Sequence, residues 1–315
     1  MPVTARRLIR IATRGSRLAL WQATHVKDRL LALYPTLAIE LVIIKTLGDR
    51  NLDTPLAQIG GKGLFIKELE QALLEGKADV AVHSMKDVPV ELPVSLHIPV
   101  LLTRDDPRDC LLAPRAGQLC ALPANAILGT SSLRRRSQLR ATRADLDLRD
   151  LRGNVTTRLR KLTNGDFDGI VLAAAGLRRL GLAHHITEYF ATTEMLPAIG
   201  QGIIGLECRV DDMPLNALLA PLNDAITSDA LTAERALNAT LHGGCQVPIA
   251  GHAVVSGDTV HLSGLVASLD GKTQVRAAQA GPRHLADVLG HAVGEALLTA
   301  GADRILAAVA ASHTP

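Results

Sequence analysis

Residues 9–45 read IRIATRGSRLALWQATHVKDRLLALYPTLAIELVIIK, and this stretch decides the fold class. Ile9–Ala12 reads as a short strand, and Ser16 behind it is a residue type that caps helices through its hydroxyl. Apolar residues then recur at helical spacing through Leu18–Leu33, and Tyr34-Pro35 ends the helix. Ile39–Lys45 is a strongly apolar run of strand length. Strand, helix and strand in this order predict a parallel pair joined by a crossover helix.

The alternation continues outward. Gly48–Gly63 is rich in Gly, Asp and Pro without periodicity, which predicts a loop, whereas Leu64–Leu74 has helical spacing and Asp79–His83 reads as a strand. The pattern restarts after Thr103. It predicts strands at Cys110–Ala113, Ala126–Gly129, Leu146–Leu151 and Gly169–Ala173, with helices at Leu133–Arg143 and Val155–Leu162. Asn164-Gly165 closes the second of these helices. From about Ala225 the character changes. A helix near Ala230–Leu241 precedes hairpins turning at Ser256-Gly257-Asp258 and Asp270-Gly271, and a last helix spans roughly His284–Ala300. The expected architecture is therefore two α/β domains with parallel sheets covered on both faces, followed by a small α+β domain.

At 315 residues the chain has room for several cores, and with 47% hydrophobic but only 2% aromatic residues those cores are aliphatic. No apolar run approaches the roughly 18 to 20 residues that span a bilayer. Arg6, Arg7, Arg10, Arg14 and Arg17 interrupt any signal-peptide core, and Cys110, Cys120, Cys208 and Cys245 have neither paired nor metal-type spacing. A reducing cytoplasm is the expectation. Net charge is only +3, but the kind of charge is informative: there are 26 Arg against 8 Lys, and 11 of those Arg fall between Arg134 and Arg179. The planar guanidinium suits bidentate gripping of carboxylate or phosphate, which a lysine cannot match.

Open α/β sheets bind ligands beyond the carboxyl ends of their strands. Four polar clusters fall there: Arg14-Gly15-Ser16, His83-Ser84-Met85-Lys86-Asp87, Thr130-Ser131-Ser132 with Arg134 and Arg135, and Arg152-Gly153-Asn154 with Arg158. Cations in a helix's first turn oppose the macrodipole by roughly 0.3–1 kcal/mol, and a bound anion would restore the balance. The alternative is a solvated basic helix face. Asp87 stands beside Lys86 as a carboxylate that could steady developing positive charge or relay a proton; a surface Lys-Asp pair before Val88-Pro89 is the plainer alternative. Cys245 follows two glycines that leave room for a bulky attachment, although a lone Cys is by itself more often inert and buried. Two patterns carry nothing. Gly60-Gly61-Lys62-Gly63 lacks the Ser or Thr and the upstream spacing of a phosphate loop, and adjacent His184 and His185 diverge by about 100° on a helix.

Taken together, RIATR (10–14), LALWQ (18–22), GGKGLF (60–65), HSMKDVPVE (83–91), DDPRD (105–109), GTSSLRR (129–135), LRGNV (151–155), AAAGLRRLG (173–181), LPAIGQG (196–202), TAER (232–235) and GGCQVP (243–248) closely resemble the porphobilinogen deaminase (hydroxymethylbilane synthase) family. The matches are collinear from residue 10 to about residue 250. The resemblance implies stepwise head-to-tail condensation of four porphobilinogen molecules with release of ammonia, then hydrolysis to a linear tetrapyrrole. It also implies a dipyrromethane cofactor joined to Cys245 by a thioether, a function for that thiol which the residues alone did not indicate. Each pyrrole carries an acetate and a propionate. By motif position, cofactor contacts carry over to Lys86, Ser132, Arg134 and Arg135. Substrate contacts carry over to Arg14, Ser16, Arg152, Arg158, Arg179, Phe65 and Gln201. Asp87 matches the catalytic carboxylate, hydrogen-bonded to the pyrrole N–H of an azafulvenium and helping to remove the α-proton.

For the fold, the resemblance implies two periplasmic-binding-protein-like α/β domains (1–102 with 200–221, and 103–199) flanking a cleft, and a C-terminal domain at 222–315 bearing the cofactor cysteine. It makes 48–63 a lid and leaves the protein monomeric, with no metal, nucleic acid or membrane among its partners. The chain departs from the family at Arg17, where the usual residue is Pro. A non-catalytic anion receptor would leave Asp87 and Cys245 unused. A single-strand nucleic-acid binder would interleave aromatics, and the Arg134–Arg179 window has only Phe167.

Overall fold

The computed structural model describes residues 8–50, 66–244 and 247–311, so Phe65, Cys245 and most of the 48–63 segment lie outside the described residues. The chain divides into two compact units, the first comprising residues 8–50, 66–104 and 203–228 among those described. In it β1 (Leu8–Arg14) pairs in parallel with β2 (Ala38–Ile44) from Leu8↔Ala38 to Arg14↔Ile44, and with β3 (Val80–Ser84) at Ile11↔Val80. Between β1 and β2 runs α1 (Arg17–Leu33), and α2 (Lys67–Leu74) precedes β3. Ser16 caps α1 as its sequence position predicts, its Oγ accepting a hydrogen bond from the Ala19 N–H at 3.2 Å. The buried face of α1 is Gln22, Ala23, Val26 and Leu30, one stripe at helical spacing. Val26 and Leu30 meet Ile9 and Ile11 of β1, and full burial of such a side chain is worth roughly 1.5–3 kcal/mol.

The sheet is mixed, where strand-helix alternation predicts a parallel one. Its order is β2-β1-β3-β10-β4, with β10 (Ile204–Arg209) lying antiparallel between β3 and β4 (Leu96–Leu101). The reason is topological. β10 returns to this sheet after residues 105–202 have formed part of the other unit, and neighbouring elements carry no information about so distant a partner.

The second unit comprises residues 105–202, 229–244 and 247–311 among those described. Its first sheet has the order β7-β6-β8-β5-β9, built from β5 (Asp109–Leu112), β6 (Ile127–Gly129), β7 (Asp147–Arg149), β8 (Gly169–Ala173) and β9 (Glu188–Tyr189). Position by position this repeats the first sheet: three parallel strands, then a strand antiparallel to them, then an edge strand. Its helices are α3 (Leu133–Thr142), α4 (Val155–Thr163) and α5 (Ala174–Arg179). Asn164 is the C-cap of α4 and Gly165 follows at φ +84°, as the Asn-Gly pair predicts.

After α6 (Ala225–Thr240) the chain makes a three-stranded antiparallel sheet of β11 (Ile249–Ser256), β12 (Thr259–Ala267) and β13 (Gln274–Pro282). Both predicted turns are present, with Gly257 at φ +57° and Gly271 at φ +74°. The predicted last helix is α7 (Ala286–Leu297), and beyond Gly301, which takes φ +102°, a further helix follows, α8 (Asp303–Ala311). Leu237, Val260, Leu262, Val293 and Leu297 form the core of this α+β portion. Leu196, Ala250, Leu265 and Ala267 form a smaller apolar cluster that ties it to the 105–202 portion. Among the described residues no helix is long and apolar enough to cross a membrane.

Candidate active site

In the first unit the polar clusters sit at the carboxyl ends of β1 and β3. Arg14 is the last residue of β1 and is half-buried; Arg17, at the first position of α1, is exposed. Ser84 ends β3, and its Oγ accepts a hydrogen bond from Gln22 Nε2 at 2.8 Å, which ties the strand end to α1. A single 3-10 turn, Met85–Asp87, follows. Its start is pinned by Met85 N–H to the Ile203 carbonyl at 3.0 Å, and the Met85 side chain lies so close to Gly205 that a Cβ there would collide with it. Lys86 and Asp87 are thereby held half-exposed on a rigid turn. Asp87 has no hydrogen bond or ion pair with any described residue. Beneath the turn, His83 and Glu207 are buried and share a 2.9 Å contact between His83 Nε2 and Glu207 Oε2. Burial, and then the charge of Glu207, push the nearby Glu70 carboxyl above the ordinary glutamate range.

In the second unit the clusters after β6, β7 and β8 occupy the same edge of the repeated sheet. Ser132 caps α3, accepting the Arg135 N–H at 3.4 Å, and Asn154 caps α4, accepting the Thr157 N–H at 2.9 Å. Gly153 stands between Arg152 and Asn154 at φ +105°, and any side chain there would strike Thr157. Arg158 Nε donates to the Gly153 carbonyl at 2.8 Å, and Arg152 is half-buried.

Arg134 and Arg135 project inward from the first turn of α3, each no more than 6% exposed. Both meet Asp109, the first residue of β5: Arg134 Nη1 reaches Oδ2 at 2.7 Å, and Arg135 Nη2 reaches Oδ1 at 2.7 Å. Burial alone would raise the Asp109 pKa, but the two guanidiniums outweigh it and hold the carboxyl well below its usual range. Burial lowers the Arg134 pKa, with Asp109 working against it. A second acidic anchor is Asp105, paired with Arg178 at 3.1 Å and Arg179 at 3.4 Å. Arg179 is mostly buried and donates through Nη2 to the Gly202 carbonyl at 2.6 Å. Gln201 is 1% exposed, and its Nε2 donates to the Pro107 carbonyl and to Asp109. Gln201 is thus an internal tie within this cluster.

The sequence reading gave Asp105 and Asp109 no role, although both stand in the DDPRD segment it quoted. The available signal was an acidic run just ahead of the arginine-rich window. Glu234 was also passed over. It is fully buried on α6 and accepts the backbone N–H groups of Gly200 and Ala253, both at 2.7 Å. Gly243 must lack a side chain because a Cβ would strike Asn238, whereas Gly244 has no described neighbour within 4 Å of where one would stand.

Known proteins resemble this chain along nearly its whole length. The family description "Porphobilinogen deaminase, dipyromethane cofactor binding domain" matches residues 9–217, and "Porphobilinogen deaminase, C-terminal domain" matches residues 229–299. A porphobilinogen deaminase of Syntrophotalea carbinolica is 53% identical over 307 residues, covering 98% of each chain. Solved structures give distant similarity. The sulfate-bound OxyR2 regulatory domain of Vibrio vulnificus is 15% identical at a TM-score of 0.43, over 70% of this chain and 99% of its own. The periplasmic aliphatic sulphonate binding protein of Escherichia coli is 14% identical at 0.40, over 76% and 71%.

Proposed function

The chain belongs to the porphobilinogen deaminase family, and from that premise we infer that the residues gathered at the two sheet edges carry that family's reaction here. It is a transferase of tetrapyrrole biosynthesis: it condenses four porphobilinogen molecules head to tail with loss of ammonia and hydrolyses the product to hydroxymethylbilane. Its cofactor is a dipyrromethane. We assign the thioether to Cys245.

The observation that carries the assignment of roles is a contrast between carboxylates. Asp105, Asp106 and Asp109 each have an arginine partner, whereas Asp87 has no cation partner among the described residues. A carboxylate held that way on a rigid turn is available to a cationic transition state. Asp87 accepts the N–H of the reacting substrate pyrrole, offsets the positive charge that grows as ammonia leaves, and takes up the α-proton after carbon–carbon bond formation. Lys86 on the same turn holds a cofactor carboxylate.

The donor set fits a group bearing acetates and propionates. Ser132 and the N-terminus of α3, with Arg134 and Arg135 in its first turn, favour anions. When bound, the dipyrromethane supplies the nucleophilic pyrrole carbon from which the chain grows. Arg14, Ser16, Arg152, Arg158 and Arg179 are assigned to carboxylates of the substrate and of the longer intermediates, with Gln201 buttressing this set and Phe65 packing on a pyrrole ring. Charge-assisted bonds of this kind are worth roughly 1.5–3 kcal/mol each.

We take the chain as three domains, 1–102 with 200–221, 103–199, and 222–315, acting as a cytoplasmic monomer on a small-molecule substrate and needing no metal, nucleic acid or membrane. A reducing compartment keeps the attachment thiol free. The buried thiols of Cys110 and Cys208 are poor competitors for the cofactor, since burial pushes both up to about 12.

Intact mass measurement tests this assignment. Purified wild type is expected to carry a covalent addition of two pyrrole units and Cys245→Ser none. Wild type that stays unmodified after incubation with porphobilinogen refutes it.

A further inference from the structure

Resting on the reading that Arg134 grips a cofactor carboxylate, we propose that Asp109 is a positioning residue: it holds Arg134 by one amino group and turns the other edge of the guanidinium toward the ligand.

Asp109 opens β5 and is paired with Ala173 at the carboxyl end of β8, so it stands at the ligand-binding edge of the sheet although it is fully buried. Its Oδ2 accepts Arg134 Nη1 at 2.7 Å, and the same amino group donates to the Leu196 carbonyl at 2.8 Å. Two acceptors therefore occupy Nη1, which fixes the plane of the guanidinium. Its Nε and Nη2 make no hydrogen bond with any described residue.

That free edge is the one that normally takes a carboxylate, through two parallel N–H bonds. Other arginines of the chain spend it internally. Arg10 gives Nε and Nη2 to Asp79, both at 3.1 Å, and Arg108 gives them to Asp106 at 2.9 and 2.7 Å. Arg135 spends the same edge on Asp109 Oδ1, at 3.0 and 2.7 Å, and its Nη1 on the Val171 carbonyl. The two neighbouring arginines thus differ: Arg135 is occupied inward on all three nitrogens, and Arg134 is held from behind. Gln201 Nε2 completes the support by donating to Oδ1 at 2.9 Å. Two guanidiniums against one carboxylate leave a single positive charge, the complement of one incoming carboxylate.

The test compares Asp109→Asn, Arg134→Leu and the double variant Asp109→Asn with Arg135→Gln. Each is purified from cells making porphobilinogen, and the fraction carrying two added pyrrole units is read by intact mass beside a thermal melt. Asp109→Asn is expected to load the cofactor at least about tenfold less than wild type. The double variant returns the buried net charge from two positive charges in Asp109→Asn to the single one of wild type, so it is expected to melt above Asp109→Asn yet still load poorly, because Arg134 has lost its anchor. Recovery of full loading by the double variant would mean that Asp109 only neutralises charge, and would overturn the proposal; so would loading of Asp109→Asn within about twofold of wild type. Normal loading by Arg134→Leu would remove the carboxylate grip itself. Poor loading there, with normal loading in both Asp109 variants, would remove only the positioning role.

Discussion

Replacing Asp87 by Asn separates charge from shape. The amide is nearly isosteric and keeps an oxygen that can accept the pyrrole N–H, but it carries no charge. Asp87 sits half-exposed on the Met85–Asp87 turn without a cation partner among the described residues, so the attraction it loses is that for the substrate's developing charge. For unit charges about 4 Å apart at an effective dielectric near 20, Coulomb's law gives roughly 4 kcal/mol. At about 1.4 kcal/mol per decade this is close to a thousandfold in rate. Stability should hardly move. No internal bond is broken, and a surface change of this kind stays within about 0.5 kcal/mol. The expected result is a kcat for hydroxymethylbilane formation lower by about two to three orders of magnitude, with KM changed little, since the substrate carboxylates are gripped elsewhere. The thermal midpoint and the two-pyrrole mass addition should match wild type. A kcat within about tenfold of wild type would refute the electrostatic role; a loss of rate matched by a collapse of the melt would show that the carboxylate is structural.

Gly153→Ala should destabilise the 105–202 portion by roughly 1–3 kcal/mol, because Gly153 has φ +105° and a Cβ there meets Thr157 Cγ2 at 2.7 Å. A thermal melt indistinguishable from wild type would show that the turn relaxes freely. Glu70→Gln tests the pairing of half-buried Glu70 with buried Glu207. Because burial and Glu207 raise the Glu70 pKa in the folded state, ionisation of Glu70 opposes folding at neutral pH. The penalty is absent below the unfolded value of about 4.3 and grows as pH rises through the folded one. The variant should therefore gain stability over wild type in urea unfolding at pH 8, and the gain should vanish toward pH 4. An equal gain at both pH values would exclude ionisation as its cause.

What the sequence made legible was local. Ser16, Ser132 and Asn154 fall at helix starts, and the strands that precede them end where the apolar runs end, because caps and periodicity act within a few residues. The insertion of β10 between β3 and β4 was not legible, since its partners are remote in sequence and its apolar pattern fits any central strand. Nor was α8, a short alanine-rich helix beyond Gly301 for which the sequence reading gave no element. The polar clusters could be listed from strand ends alone. What each side chain touches could not, because the contact of Asp109 with α3 depends on the register of β5 against β8.

The arginine excess shows how far residue type alone carries an argument. That excess predicts a grip on external anions, yet Arg134, Arg135, Arg136, Arg143, Arg149, Arg178 and Arg179 each meet an aspartate of the chain itself. Three of these pairs, Arg136–Asp150, Arg143–Asp145 and Arg149–Asp147, have partners 40% or more exposed and are worth no more than about 1 kcal/mol apiece. They are solvated surface contacts. The two buried pairs that Arg134 and Arg135 make with Asp109 differ in kind. Breaking either from one side leaves an uncompensated charge, at roughly 3–5 kcal/mol, so their geometry is fixed before any ligand arrives. A polyanionic chain that grows and must finally leave needs donors of this sort. Free arginines would first have to be ordered around each new carboxylate, whereas fully neutralised ones would offer it nothing. Arginines that outnumber their buried counter-ions meet both demands, and for Arg134 the unpaired edge gives that surplus a direction.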